Sequence, residues 1–134
     1  MNPQLFHQAV LVIDDEPLVL KYTCAVISGL GYTNVYRAAN AFDARSLFLS
    51  HQFELVISDI TLPDADGRQL LCEALESNPS ATGILISGFA CDETKLPSLL
   101  QGKVRALEKP FTADDISSIL AETFERTAET TCAH

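Results

Sequence analysis

At 134 residues the chain is one ordinary domain long, enough to bury roughly 65–70% of its unfolded surface without help from disulfide or metal. Apolar residues at 47% and charged residues at 20% exclude a disordered chain. A net charge of −9 repels phosphate backbones and anionic lipid, so neither nucleic acid nor a membrane surface is an expected partner.

Ala9 to Ile13 (AVLVI) is an unbroken apolar run ended by Asp14-Asp15-Glu16, the pattern of a strand buried on both faces. Pro17 then opens a helix carrying Val19, Tyr22, Val26, Ile27 and Leu30 on its apolar face, with Gly31 as the stop. A short strand is predicted over 34–37, and Asn40 is placed to cap a helix bearing Ala44, Leu47 and Phe48. Glu54 to Ser58 (ELVIS) reads as the third strand and runs into Asp59, followed by a turn-rich loop from Thr61 to Gly67. Leu70, Leu71, Ala74 and Leu75 form one helical face closed by Asn78-Pro79. Gly83 to Ser87 (GILIS) is the fourth strand. A weak helix is predicted over 92–100, weak because Pro97 would cost about 3 kcal/mol in a helix interior. Val104 to Leu107 is the fifth strand, and Thr112 with Asp115 opens the closing helix marked by Ile116, Ile119, Leu120 and Phe124.

Five β-then-α units imply an α/β fold: a single-domain, doubly wound (βα)5 parallel sheet in the flavodoxin-like order 2-1-3-4-5. The domain is read over residues 1–126, with 127–134 as a flexible tail of small polar residues. No apolar run reaches the ~18 residues of a membrane span, and the start MNPQLFHQ lacks the basic and apolar regions of a signal peptide. A cytoplasmic setting is therefore expected, where Cys24, Cys72, Cys91 and Cys132 stay reduced and structural. His7, His51 and His134 show no metal-ligand spacing.

Ligands of such sheets bind beyond the carboxyl ends of the strands. The residues found there are Asp14 and Asp15, Asp59, Ser87 and Gly88, and Lys109. Each has a plain reading alone: acids solvating a helix start, a turn aspartate, a strand-end serine, a loop Lys-Pro. Gathered on one rim they acquire a chemical logic. Like charges ~4 Å apart repel by about 4 kcal/mol at an effective dielectric near 20, which a hard divalent cation relieves. Mg²⁺ with a lysine ammonium also neutralises a phosphoryl group, and a neighbouring carboxylate is a nucleophile that forms an acyl phosphate.

The segments VLVIDDEP, ELVISDITLPDADG, ILISGFA and LEKPF, in this order and spacing, resemble the response-regulator receiver domain of two-component signalling, the CheY-like family. The resemblance covers residues 8 to about 126. It implies that Asp59 is the phosphoacceptor, served by a sensor histidine kinase or a histidine phosphotransfer protein. It implies Mg²⁺ as cofactor, bound directly by Asp15, by Asp14 through water or as a second ligand, by Asp59, and by the backbone carbonyl of Thr61. Ser87 and Lys109 would contact the phosphoryl group, Gly88 would keep the pocket open to the donor, and the Lys109–Pro110 bond is commonly cis in such domains. Thr61 and Phe89 stand at positions that tune phosphoryl lifetime. The family often carries an aromatic switch residue where this chain has Ala106, so an altered response is expected.

The leading expectation is a phosphorylatable receiver with no output domain in this chain, switching or draining signal through contacts with an output protein the sequence does not name. It would catalyse only its own Mg²⁺-dependent phosphorylation and dephosphorylation. The alternative is a receiver-fold interaction module that works without phosphorylation. A small phosphatase or flavin carrier fits poorly, since no Gly-rich phosphate cradle is evident. Oligomeric state is left open.

Overall fold

Five short β-strands, all parallel, lie side by side in the order β2-β1-β3-β4-β5 in the computed structural model, which describes residues 8–132. The strands are β1 (Ala9–Ile13), β2 (Asn34–Ala38), β3 (Leu55–Asp59), β4 (Thr82–Ser87) and β5 (Val104–Glu108). The helices are α1 (Pro17–Gly29), α2 (Ala41–Ser50), α3 (Gly67–Ser77) and α4 (Ala113–Cys132). His7 and His134 lie outside the described residues, as do the side chains of Phe124 and Cys132. The backbone stays helical to Cys132, beyond residue 126 where the sequence predicts the domain to end. No described helix is long and apolar enough to cross a membrane.

The central strands are buried along their whole length, and their alternating side chains feed two cores. Val10, Val12, Leu55, Ile57, Ile84 and Ile86 meet Leu20, Cys24 and Ile27 of α1 and Ile116, Ile119 and Leu120 of α4. Leu11, Ile13, Val56 and Leu85 point the other way, onto Ala41 and Ala44 of α2 and Leu70, Leu71, Ala74 and Leu75 of α3. Each large apolar side chain removed from water contributes roughly 1.5–3 kcal/mol, so covering both faces holds the sheet.

Local signals set the helix ends as expected. Asn40 accepts the Asp43 N–H at 2.7 Å, Thr112 and Asp115 form a reciprocal capping pair, and Gly31 takes a positive φ of 109° after α1. The buried face of α1 differs from the prediction. It centres on Leu20, Thr23, Cys24 and Ile27, while Tyr22 is exposed, its ring against Phe111 and its hydroxyl donating to the Phe111 carbonyl at 3.3 Å. Cys24, Cys72 and Cys91 are free thiols, and burial pushes those of Cys24 and Cys72 up.

The predicted fourth helix is absent. Two 3₁₀ turns, Glu93–Lys95 and Ser98–Leu100, stand in its place. Pro97 lacks an N–H and disfavours helical geometry in the residue before it; Leu96 is extended at φ −68°, ψ 154°. Leu96 and Leu100 are nevertheless buried in the core beneath. Two leucines do the covering that a helix face would have done.

Candidate functional site

Asp14 is the first residue past β1, and its N–H still reaches the Ala38 carbonyl at 3.1 Å. That bond carries the side chain under the rim, where it is only 2% exposed, whereas Asp15 turns out to solvent. One Asp14 oxygen accepts the Glu16 N–H at 2.9 Å; Oδ2 is buried and accepts no hydrogen bond. Burial pushes the Asp14 pKa up, and the Glu16 N–H and Lys109 ammonium offset only part of that rise.

Asp59 ends β3 and is likewise buried. The Thr61 N–H donates to its Oδ1 at 3.3 Å and Lys109 Nζ to its Oδ2 at 3.2 Å. Ligand oxygens from Asp14, Asp15 and Asp59 all lie within 4.8 Å of one another. Three hard oxygens at that spacing, one of them a buried orphan, make an acidic pocket compatible with a divalent cation.

Lys109 crosses this pocket from the end of β5. Its ammonium is 3.1 Å from Glu16 Oε1, 3.2 Å from Asp59 Oδ2 and 3.6 Å from Asp14 Oδ2. Burial alone would lower its pKa; bonds to Glu16 and Asp59 and the charges of Asp14 and Asp59 outweigh it and hold it above the ordinary lysine range. The Lys109 N–H donates to the Ser87 carbonyl at 2.7 Å, which ties β5's end to β4's, and the Lys109–Pro110 bond is cis. Ser87 is buried, and its Oγ accepts the Phe89 N–H at 3.0 Å, leaving the hydroxyl proton to donate to a ligand.

Beside the pocket an open groove of about 430 Å³ runs between Val19, Tyr22, Gly88, Lys109, Pro110 and Phe111. A Cβ at Gly88 would meet nothing within 4 Å, so this glycine faces free space at the groove, next to exposed Phe89. Ala106 is half-buried in β5. Its N–H donates to Glu93 Oε2 at 2.8 Å, and the adjacent Arg105 pairs with Glu93 and Glu122.

Two contributors were missed at the level of sequence. Glu16 looks like a third solvating acid after β1, yet it is one of Lys109's three partners. Gly67 looks like a turn residue, yet its backbone rests on the end of β3: a Cβ there would sit 2.0 Å from the Asp59 carbonyl oxygen. Only the end of a Pro/Asp/Gly loop hinted at it.

Fold and site together define the class: a doubly wound α/β protein with an acidic strand-end pocket spanned by a lysine. The chain belongs to the response regulator receiver domain family, whose profile matches residues 10–121, and so to the receivers of two-component signal transduction. It is 29% identical over 119 residues to the sensor kinase CckA of Brucella abortus, covering 87% of this chain and 12% of that protein. It is 30% identical over 121 residues to the transcriptional regulatory protein ZraR of Salmonella typhimurium, covering 90% of this chain and 27% of that one. The chain thus spans a minor part of these curated relatives. Among solved structures, a CheY-like receiver domain protein from Methanospirillum hungatei superposes with a TM-score of 0.80 at 27% identity, covering 92% of this chain and 98% of the other. The receiver domain of an HD domain-containing protein from Pseudomonas fluorescens gives 0.78 at 27% identity and the same coverage.

Proposed function

We propose that Asp59 accepts a phosphoryl group from a phosphohistidine on a sensor histidine kinase or histidine phosphotransfer protein, and that the chain switches or drains signal through protein contacts. The observation that carries this reading is the Lys109 ammonium, 3.2 Å from Asp59 Oδ2 and 3.6 Å from Asp14 Oδ2, a buried oxygen that accepts no hydrogen bond. In the transfer an Asp59 oxygen forms a bond to phosphorus as the nitrogen–phosphorus bond breaks, its electron pair leaving with the imidazole. Asp14, Asp15, Asp59 and the Thr61 carbonyl would hold Mg²⁺, which supplies charge neutralisation for the phosphoryl oxygens. Lys109 pairs with one such oxygen, and the Ser87 hydroxyl donates to another. Gly88 leaves the approach from the groove open. The chain acts on itself, without turnover of a free substrate.

Adding an acyl phosphate at Asp59 replaces one negative charge with about −1.5 to −2 and draws Lys109 and Ser87 towards it. Ser87 ends β4 and Lys109 directly follows β5, so the pull is delivered to the loops beyond them. Intact-mass spectrometry after incubation with acetyl phosphate tests the chemistry. The expected result is one Mg²⁺-dependent phosphoryl adduct on the wild type and none on Asp59→Asn. No adduct from acetyl phosphate or from a panel of phosphorylated kinases and phosphotransfer proteins would overturn it.

A second reading, an interaction module independent of phosphorylation, is favoured by Ala106, whose small side chain cannot act as an aromatic switch and whose N–H is held by Glu93. Partner binding unchanged in Asp59→Asn would select it.

A further inference from the structure

Asp64 lies in the loop between β3 and α3, exposed and five residues beyond Asp59. Its carboxylate nevertheless makes two directed bonds to a different element. Oδ1 accepts the N–H of Ala41 at 2.8 Å and Oδ2 that of Phe42 at 2.9 Å, the first two amides of α2. The next amide, that of Asp43, is already served by Asn40. The positive end of a helix dipole favours an anion there. Bonding to Ala41, then to Phe42, holds the Asp64 pKa below the usual carboxylate range, so the clasp stays charged at neutral pH.

What the clasp joins gives it meaning. On one side, the loop bearing Asp64 is folded on itself by Thr61 pairing with Asp66 and by Leu62 N–H to the Ala65 carbonyl, and Thr61 N–H holds Asp59 Oδ1. On the other, α2 begins only three residues after Ala38, whose carbonyl receives the Asp14 N–H. Asp64 therefore closes a ring of contacts running from Asp59 through Thr61, across to Ala41, and back through Ala38 to Asp14. We infer that Asp64 is a positioning residue: it locks together the two loops that flank the acidic pocket, and so sets the spacing of Asp14 and Asp59 for a divalent cation. The inference rests on the cation-assisted reading above.

A helix cap alone would stabilise α2 without affecting the pocket, so the test needs a cap of the same helix that does not touch the loop. Asn40→Ala is that control. The full chain is titrated with Mg²⁺ and followed through the backbone amide resonances of residues 14, 15 and 59, for the wild type, Asp64→Ala, Asp64→Asn and Asn40→Ala, with Tm measured alongside. Asp64→Ala should weaken Mg²⁺ binding roughly tenfold, as loss of an outer support does in metal sites, while Asn40→Ala stays within about twofold of the wild type. Asp64→Asn keeps one acceptor oxygen and should fall between; it also serves if the alanine variant does not fold. Without Mg²⁺, amide exchange should quicken in both 38–42 and 61–66 in Asp64→Ala, but only at the start of α2 in Asn40→Ala. Equal Mg²⁺ affinity in Asp64→Ala and wild type, or an equal loss in Asn40→Ala, would overturn the inference. Absence of Mg²⁺-induced shifts in the wild type would overturn it together with the cation-assisted reading, a result distinct from either.

Discussion

The connection from β3 to α3 and the one from β4 to β5 leave neighbouring strands on the same rim, yet the first folds back on its own strand through backbone bonds and is clasped to α2 by Asp64, whereas the second is anchored to the rest of the molecule mainly by side chains. After Asp59 the chain pairs Thr61 with Asp66, turns from Leu62 to Ala65, and sends the Gly67 N–H back to the Ile60 carbonyl at 2.7 Å. After Ser87 there are two isolated 3₁₀ turns, pinned by buried Leu96 and Leu100, by Gln101 Nε2 bonded to the carbonyls of Thr94 and Leu96, and by Glu93 on the edge of β5. A loop closed on itself holds Asp59 in one place. A segment held by a few side chains opens at lower cost, which suits the side that would report a change at Ser87.

Leu100→Ala should show the dependence on side chains most strongly. Leu100 is fully buried, so its truncation is expected to cost about 2–5 kcal/mol, while Leu99→Ala, at a position 41% exposed, changes stability by less than about 0.5 kcal/mol. Chemical denaturation measures both, and similar losses would mean that the segment is not anchored through one face.

Next in size is a pair of glycines, one on each connection. Gly67→Ala places a Cβ against the Asp59 carbonyl, where backbone must move, and should cost about 2–3 kcal/mol; Gly88→Ala enters open space and should cost almost nothing. Equal melting temperatures for these two variants would refute the claim that the loop after Asp59 is the tightly fitted one.

The smallest effect lies at Asp14, and here the sign is the test. Its folded-state pKa is raised above the ordinary 3.8, so the folded protein holds this proton more tightly than the unfolded chain does. Ionisation of Asp14 therefore subtracts stability at neutral pH, and the penalty fades as pH falls through the raised value towards 3.8. In metal-free buffer Asp14→Asn should raise the Tm at pH 7, with the gain disappearing near pH 4. A loss at pH 7 that fades on acidification would show that Asp14 is stabilised by Lys109 more than it is penalised by burial.

Much of this was legible residue by residue. AVLVI and the LVI of ELVIS are continuous apolar runs, followed by Asp14 and, one serine later, by Asp59, and in a parallel sheet that pattern means a strand covered on both faces with its acids at the ligand rim. Asn40, Gly31 and the Thr112/Asp115 pair end helices by bonds that span at most a few residues, so their roles can be read locally. The buried face of α1 was less legible, since Phe111, arriving from the far side of the sequence, occupies the ground beside Tyr22.

The sequence by itself determined the number of strands, their chain order and the carboxylates and lysine that could meet at one edge, because periodicity and strand-end position are properties of a few consecutive residues. Only the tertiary structure decided that Leu96 and Leu100 replace a helix, that Gly67 must have no side chain, that Glu16 shares Lys109, and that Asp64 reaches across to α2. Each of these depends on how closely two segments distant in sequence approach one another, and that distance is fixed by packing of the whole sheet.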